Sequence, residues 1–201
     1  MIVLLKNNLA NVFTVTRLIF AVWLVFLALY GSQLILMFFI VLTCGLLDIL
    51  DGWAARKFNA ETDIGAFLDP LADKILICPV IVILAWHYWP RLEINSSFKL
   101  LTEGLIAVVI LLEVILISGG ILAALTLKGF EISSNKWGKA KMVLQSAAVL
   151  VWFLLLIIDR YCPEKILFST LYILINTLLI GAIGLAVKSL EGYWQKYQSF
   201  T

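Results

Sequence analysis

Five aspartates fall within the twenty-six residues DILDGWAARKFNAETDIGAFLDPLAD, from Asp48 to Asp73. Asp48 and Asp51 are three residues apart and Asp69 and Asp73 four, spacings that put each pair on one face of a helix. Four carboxylates converging across two antiparallel helices repel unless a cation sits between them, and hard oxygen ligands select Mg²⁺, Mn²⁺ or Ca²⁺. A divalent-metal site follows, for one ion or two. Mg²⁺ keeps coordination positions that phosphate oxygens fill, so the pattern points to a phosphorylated or diphosphate substrate. Arg56, five residues after Asp51, can meet the same phosphates. Gly52 lets a backbone or ligand approach beside the carboxylates, and Gly65 opens space at the start of the next helix. Asp63, in the polar connection, is expected to be a solvated residue or a helix cap.

The elements that must position these residues are apolar. The chain has 201 residues, 63% of them hydrophobic and only 14% charged, against about 25% charged in an ordinary soluble domain. Its mean hydropathy is +1.04, which makes it an integral membrane protein. An aspartate at the centre of a membrane helix costs about 2.5 to 3.5 kcal/mol on insertion scales, so several together need a function. Hydrophobic runs near the length of a bilayer predict six spans, at 14–30, 33–55, 64–89, 98–126, 139–158 and 166–190, separated by polar, Gly or Pro punctuation. The opening MIVLLKNNLAN has one Lys and no small-residue cleavage site, which predicts an interfacial helix leading into the first span. The fold class expected is all-α, with six transmembrane helices and a short N-terminal interfacial helix, in a single membrane domain over 1–201.

Six spans put both termini on one side. Eleven of the fifteen Lys and Arg fall on that side and four, Arg91, Lys99, Arg160 and Lys165, on the other. The positive-inside rule then makes the termini and the aspartates cytoplasmic, in a multi-pass protein of the cell (inner) membrane. A net charge of +2 is too small to argue for nucleic acid, and the expected partner is lipid. Cys44, Cys78 and Cys162 are dispersed in or beside apolar runs and suggest packing rather than a disulfide framework or a metal quartet. His87, the one histidine, sits among Trp86, Tyr88 and Trp89 on the far side and fits an aromatic belt.

The aspartate-rich stretch resembles the CDP-alcohol phosphotransferases, whose signature D-x-x-D-G-x-x-A-R-x8-G-x3-D-x3-D is met at all eight fixed positions by Asp48, Asp51, Gly52, Ala55, Arg56, Gly65, Asp69 and Asp73. The length and span number also look like that family. NVFTVTR is similar to the N-x-x-T-x-x-R that opens its phosphatidylglycerophosphate synthases, through Asn11, Thr14 and Arg17. The resemblance implies transfer of a phosphatidyl group from CDP-diacylglycerol to an alcohol, with release of CMP. It implies that Asp48, Asp51 and Asp69 bind Mg²⁺ or Mn²⁺, two ions in all, with Asp73 as general base and further metal contact. Gly52, Ala55, Arg56, Gly65, Asn11, Thr14 and Arg17 would line the nucleotide and diphosphate. A homodimer is common in the family.

For the acceptor, SSNKWGKAKMVLQ resembles the G-K-x-K-T-x-x-Q segment of the same synthases through Gly138, Lys139, Lys141 and Gln145, with Met142 in place of Thr. Two lysines two apart at the start of a cytoplasmic-side helix can meet the phosphate of a small acceptor such as glycerol 3-phosphate. In LLEVILIS those synthases show Arg-Glu, whereas here Leu112 precedes Glu113. A buried Glu113 needs a partner, such as Lys139, Lys141 or bound substrate. FLDPLADKILI also looks much like the cardiolipin synthases of the family, which use phosphatidylglycerol as acceptor and are the nearest alternative. A small cation transporter would need polar residues through the bilayer or an inverted repeat, and the sequence has neither.

Overall fold

The computed structural model describes the backbone of residues 2–30, 33–58, 74, 76–88, 96–126, 135–161 and 165–198, with side chains over 15–30, 33–47, 74, 76–86, 98–123, 126, 135–161 and 167–198. Every described element is helical. In chain order they are α1 (Ile2–Tyr30), α2 (Leu34–Phe58), α3 (76–88), α4 (Ser96–Thr126), α5 (Lys136–Tyr161) and α6 (Lys165–Gln198). The last five residues of α3, Leu84–Tyr88, are wound as a π-helix just ahead of Pro90 in the sequence. Lipid offers no partner to backbone N–H and C=O groups, so an apolar chain of this kind satisfies them within each segment as helix.

Among the described residues three helices are long and apolar enough to cross a bilayer: Phe98–Ala123, Lys136–Tyr161 and Leu167–Gln198. Three shorter apolar stretches, Val15–Tyr30, Leu34–Leu47 and Leu76–Trp86, lie inside the other expected spans. Large apolar side chains cover the outside, among them Ile19, Leu111, Leu122, Val143, Ile173 and Ile180. In water such a surface would be a large apolar patch; around a bundle of this composition it faces lipid. The protein is a membrane protein whose described elements are all helices.

Helix ends differ from those that hydropathy predicts. The expected interfacial segment and first span form one unbroken helix, since no Gly or Pro interrupts Ile2–Tyr30. α6 runs eight residues past the expected end at 190, through the polar EGYWQKYQ, because polarity ends a span but not a helix. α5 begins at Lys136 rather than Lys139 because Asn135 caps it, its Oδ1 accepting the Gly138 N–H at 2.8 Å. It stops at Tyr161, two residues before Pro163, which disfavours helix in the residue it follows.

The closest helix pairing is α5 with α6, followed by α1 with α2, α4 with α6, and α2 with α5. Trp152, Phe153 and Leu155 of α5 meet Ile175 and Leu179 of α6 in a fully buried core that α1, α2 and α3 extend. Gly181 belongs to this packing, since a Cβ there would lie 3.0 Å from Leu144 Cδ1.

Polar links fasten α6 at both ends. Thr102 Oγ1 of α4 lies 2.8 Å from Tyr172 Oη and donates to Asn176 Oδ1 at 2.9 Å, while Tyr172 Oη donates to the Phe98 carbonyl. At the other end Asn135 Nδ2 donates to the Ser189 carbonyl at 3.0 Å, and Ser189 Oγ donates back to Asn135 Oδ1 at 2.9 Å. Gly192 makes room for this exchange, because a Cβ there would sit 2.6 Å from Asn135 Nδ2.

Asn135→Ala should therefore cost about 1 kcal/mol of stability through the lost cap. Gly192→Ala should cost a similar amount, about 1 kcal/mol, by displacing the same amide. The two together should cost no more than Asn135→Ala alone, because the added methyl then has nothing to displace. Thermal unfolding of the detergent-solubilised protein and its three variants measures this; additive losses would mean that Gly192 does not act through Asn135.

Candidate functional site

The aspartate motif begins on α2. Asp48, Asp51, Gly52, Ala55 and Arg56 all lie within the helix Leu34–Phe58, so Asp48 and Asp51 share a face through their backbone register. Their side chains, and Gly65, Asp69 and Asp73 altogether, lie outside the described residues. The convergence of the four carboxylates therefore rests on sequence, with its first half on a helix.

The α1–α2 pairing carries the N-terminal motif to the same level. Asn11, Thr14 and Arg17 lie on one helix, and Arg17 is buried, at 2% exposure. Its charge acts on Cys44 of α2, which is fully buried. Asp48 follows Cys44 by one helical turn on the same face. At 1.5 Å per residue, Arg17 lies about 20 Å from the end of α1 and Asp48 about 21 Å from the start of α2, so the two are level across the pair. The side chains of Asn11 and Thr14 lie outside the described residues.

A second polar group is built between α4 and α5. Lys141 and Gln145 are four residues apart and share one face of α5, which is what brings both to one partner. Lys141 Nζ donates to Glu113 Oε1 of α4 in a buried ion pair, and Gln145 Nε2 donates to the same oxygen at 2.9 Å. All three residues are 2% exposed. Glu113 Oε2 and Gln145 Oε1 have no hydrogen-bond partner among the described residues. Of the four expected acceptor residues the fold thus unites Glu113, Lys141 and Gln145. It leaves Lys139 apart, exposed on another side of α5.

This cluster borders the helix that the aspartate motif feeds. The charges of Glu113 and Lys141, together with that of Lys74, act on Cys78 of α3. Cys78 follows Asp73 by five residues. Asn135, Thr102 and Tyr172, which hold the supporting helices, did not stand out in the sequence. Only Asn135 carried a signal, as an Asn directly before a lysine-led apolar run.

A model of the CDP-alcohol phosphatidyltransferase family matches residues 7–187, and the chain belongs to that family. Its relatives narrow the comparison. The chain is 29% identical over 192 residues to a CDP-diacylglycerol--glycerol-3-phosphate 3-phosphatidyltransferase of Aquifex aeolicus, an alignment covering 94% of this chain and 95% of that one. A protein of the same name from Haemophilus influenzae is 39% identical over 88 residues, 41% of this chain and 46% of its own. One from Escherichia coli K12 is 49% identical over 41 residues, 20% and 22% of the two chains.

Removing one member of a buried ion pair leaves an uncompensated charge, at a cost of about 3 to 5 kcal/mol, whereas replacing both is close to neutral. Lys141→Met should therefore destabilise the protein by about that much, 3 to 5 kcal/mol. Adding Glu113→Gln should restore most of the loss. Thermal unfolding in detergent decides the matter, and a double variant no more stable than Lys141→Met would show that the pair does not couple.

Proposed function

We propose that this protein transfers the phosphatidyl group of CDP-diacylglycerol to glycerol 3-phosphate, giving phosphatidylglycerophosphate and CMP. The observation that carries this reading is the near end-to-end likeness to the Aquifex aeolicus protein of that name. The eight-position aspartate signature gives it chemical content.

In this reading Asp48, Asp51, Asp69 and Asp73 hold Mg²⁺ or Mn²⁺, two ions in all. The donor set fits, being four hard carboxylates whose first two share a face of α2. When bound, the ions offset charge on the diphosphate and on the departing CMP. Asp73 accepts the proton of the attacking hydroxyl. The acceptor oxygen bonds to the phosphatidyl phosphorus, the bond from that phosphorus to the CMP oxygen breaks, and CMP leaves. Arg56 and Arg17 supply positive charge to the diphosphate, Gly52, Ala55 and Gly65 leave space for the nucleotide, and Asn11 and Thr14 lie along it. Lys139, exposed at the start of α5, meets the acceptor phosphate.

The membrane arrangement that suits this chemistry has six spans, with both termini and the aspartates on the cytoplasmic side of the cell membrane. The excess of Lys and Arg on that side supports it.

Purified protein given CDP-diacylglycerol and Mg²⁺ or Mn²⁺ should release CMP with glycerol 3-phosphate, and not with phosphatidylglycerol, inositol phosphate or serine offered singly. Release with one of the others alone would replace the acceptor. Asp73→Asn should abolish turnover while metal-dependent binding of CDP-diacylglycerol persists; undiminished turnover would remove Asp73 as the base. Lys139→Ala should raise the KM for glycerol 3-phosphate about tenfold, the loss of one charge-assisted hydrogen bond. An unchanged KM would place the acceptor phosphate elsewhere.

A further inference from the structure

The Glu113, Lys141 and Gln145 cluster has hydrogen-bonding capacity that no described residue consumes. Gln145 must turn its amide nitrogen toward Glu113 Oε1, because its carbonyl would repel a carboxylate, and this leaves Gln145 Oε1 as an acceptor. Glu113 Oε2 is a second acceptor. The Lys141 ammonium has three N–H groups, of which the bond to Glu113 Oε1 uses one. Two acceptors and spare ammonium donors thus sit together, all on residues 2% exposed. A buried acceptor left unmatched is costly, so its natural complement is a donor carried by a ligand.

The chemistry of that ligand follows from the same inventory. A phosphate dianion brings only acceptor oxygens and would face the carboxylate Oε2 and the amide Oε1, both of which repel it. The cluster also has no net charge to attract it, since Lys141 is balanced by Glu113. A hydroxyl group matches instead, because its oxygen accepts from Lys141 and its proton goes to Glu113 Oε2 or Gln145 Oε1.

We infer that Glu113, Lys141 and Gln145 form a subsite that binds a hydroxyl of the acceptor alcohol other than the one that attacks, and so select an acceptor carrying at least two hydroxyls. The inference rests on the phosphatidyltransferase reading above and deepens it. Lys141 acts here as a hydroxyl ligand held in place by Glu113, and the acceptor phosphate is met elsewhere.

The test compares glycerol 3-phosphate with 3-hydroxypropyl phosphate, which keeps the phosphate and the attacking hydroxyl but lacks the second hydroxyl. CMP release by the wild-type protein should favour glycerol 3-phosphate in kcat/KM by about 10- to 100-fold, the effect of leaving buried polar groups unpaired. In Gln145→Met, which keeps the volume, and in Glu113→Gln, which keeps the shape, the ratio should fall toward one. Equal use of both acceptors by the wild type overturns the inference without recourse to any variant. A large preference that neither variant reduces also overturns it, and leaves the cluster as a tie between α4 and α5. Absence of CMP release with glycerol 3-phosphate, when another acceptor supports it, overturns the functional reading, and the subsite falls with it.

Discussion

The ion pair between Lys141 and Glu113 fixes how α4 and α5 face each other, because neither charge can be left alone at that depth. Glu113 is midway along a 31-residue helix whose other described surface is largely Leu, Ile, Val and Ala. Rotating α4 by one residue, about 100°, would carry the carboxylate away from α5 and strand both charges. Hydrophobic packing gives no such discrimination, since lipid tails are as apolar as the side chains they would replace. Among the described residues, this pair is the interaction that sets rotational register between the two helices carrying the expected acceptor residues.

Holding that register requires a third helix. α6 contributes none of the expected site residues, yet it packs on both α4 and α5. The Thr102, Tyr172 and Asn176 bonds fix it to α4, and the Asn135 and Ser189 exchange fixes it to the start of α5. At that end Trp137 lies under both Lys136 and Lys188, whose ammonium groups are 5.0 and 4.8 Å from the ring centroid. Two cations over one indole give the α5–α6 junction an electrostatic contact that a purely apolar seam lacks. The helix without chemistry thus keeps the helices with chemistry in place.

The parts of this arrangement that chemistry constrains were legible in the sequence. Carboxylates proposed to share a metal stand out by their spacing alone, and of the four only Asp48 and Asp51 lie on a described helix, α2. Apolar runs announce helices: each described helix has a counterpart among the expected spans, three of them long and apolar enough to cross a bilayer. Helix ends were less legible because hydropathy marks where lipid stops, whereas α6 continues through Gly192 to Gln198 with no proline to stop it. Glu113 announced its need for a partner but not which one. Lys139 and Lys141 are two residues apart, about 200° around the helix, so only one can face α4. The choice is made by which face of α5 packs against the bundle, and a single sequence does not show that. Tyr172 and Thr102 were invisible for the same reason, being ordinary residues until a neighbouring helix completes their hydrogen bonds.

The departure at Leu112 acquires a physical sense from this geometry. The synthases that the chain resembles carry Arg before this glutamate, and here the position is half-buried leucine. Residue 112 is about 100° around α4 from Glu113, so the change leaves the ion pair intact and removes a cation from the adjoining strip of helix. An arginine there would have left the region with surplus positive charge suited to a phosphate. With leucine, the region keeps one ammonium balanced by one carboxylate, and its surplus is hydrogen-bonding capacity rather than charge. This charge balance supports the proposed recognition of a neutral hydroxyl by α4 and α5, and leaves the acceptor phosphate to a cation outside the pair, for which Lys139 at the exposed start of α5 is the proposed one.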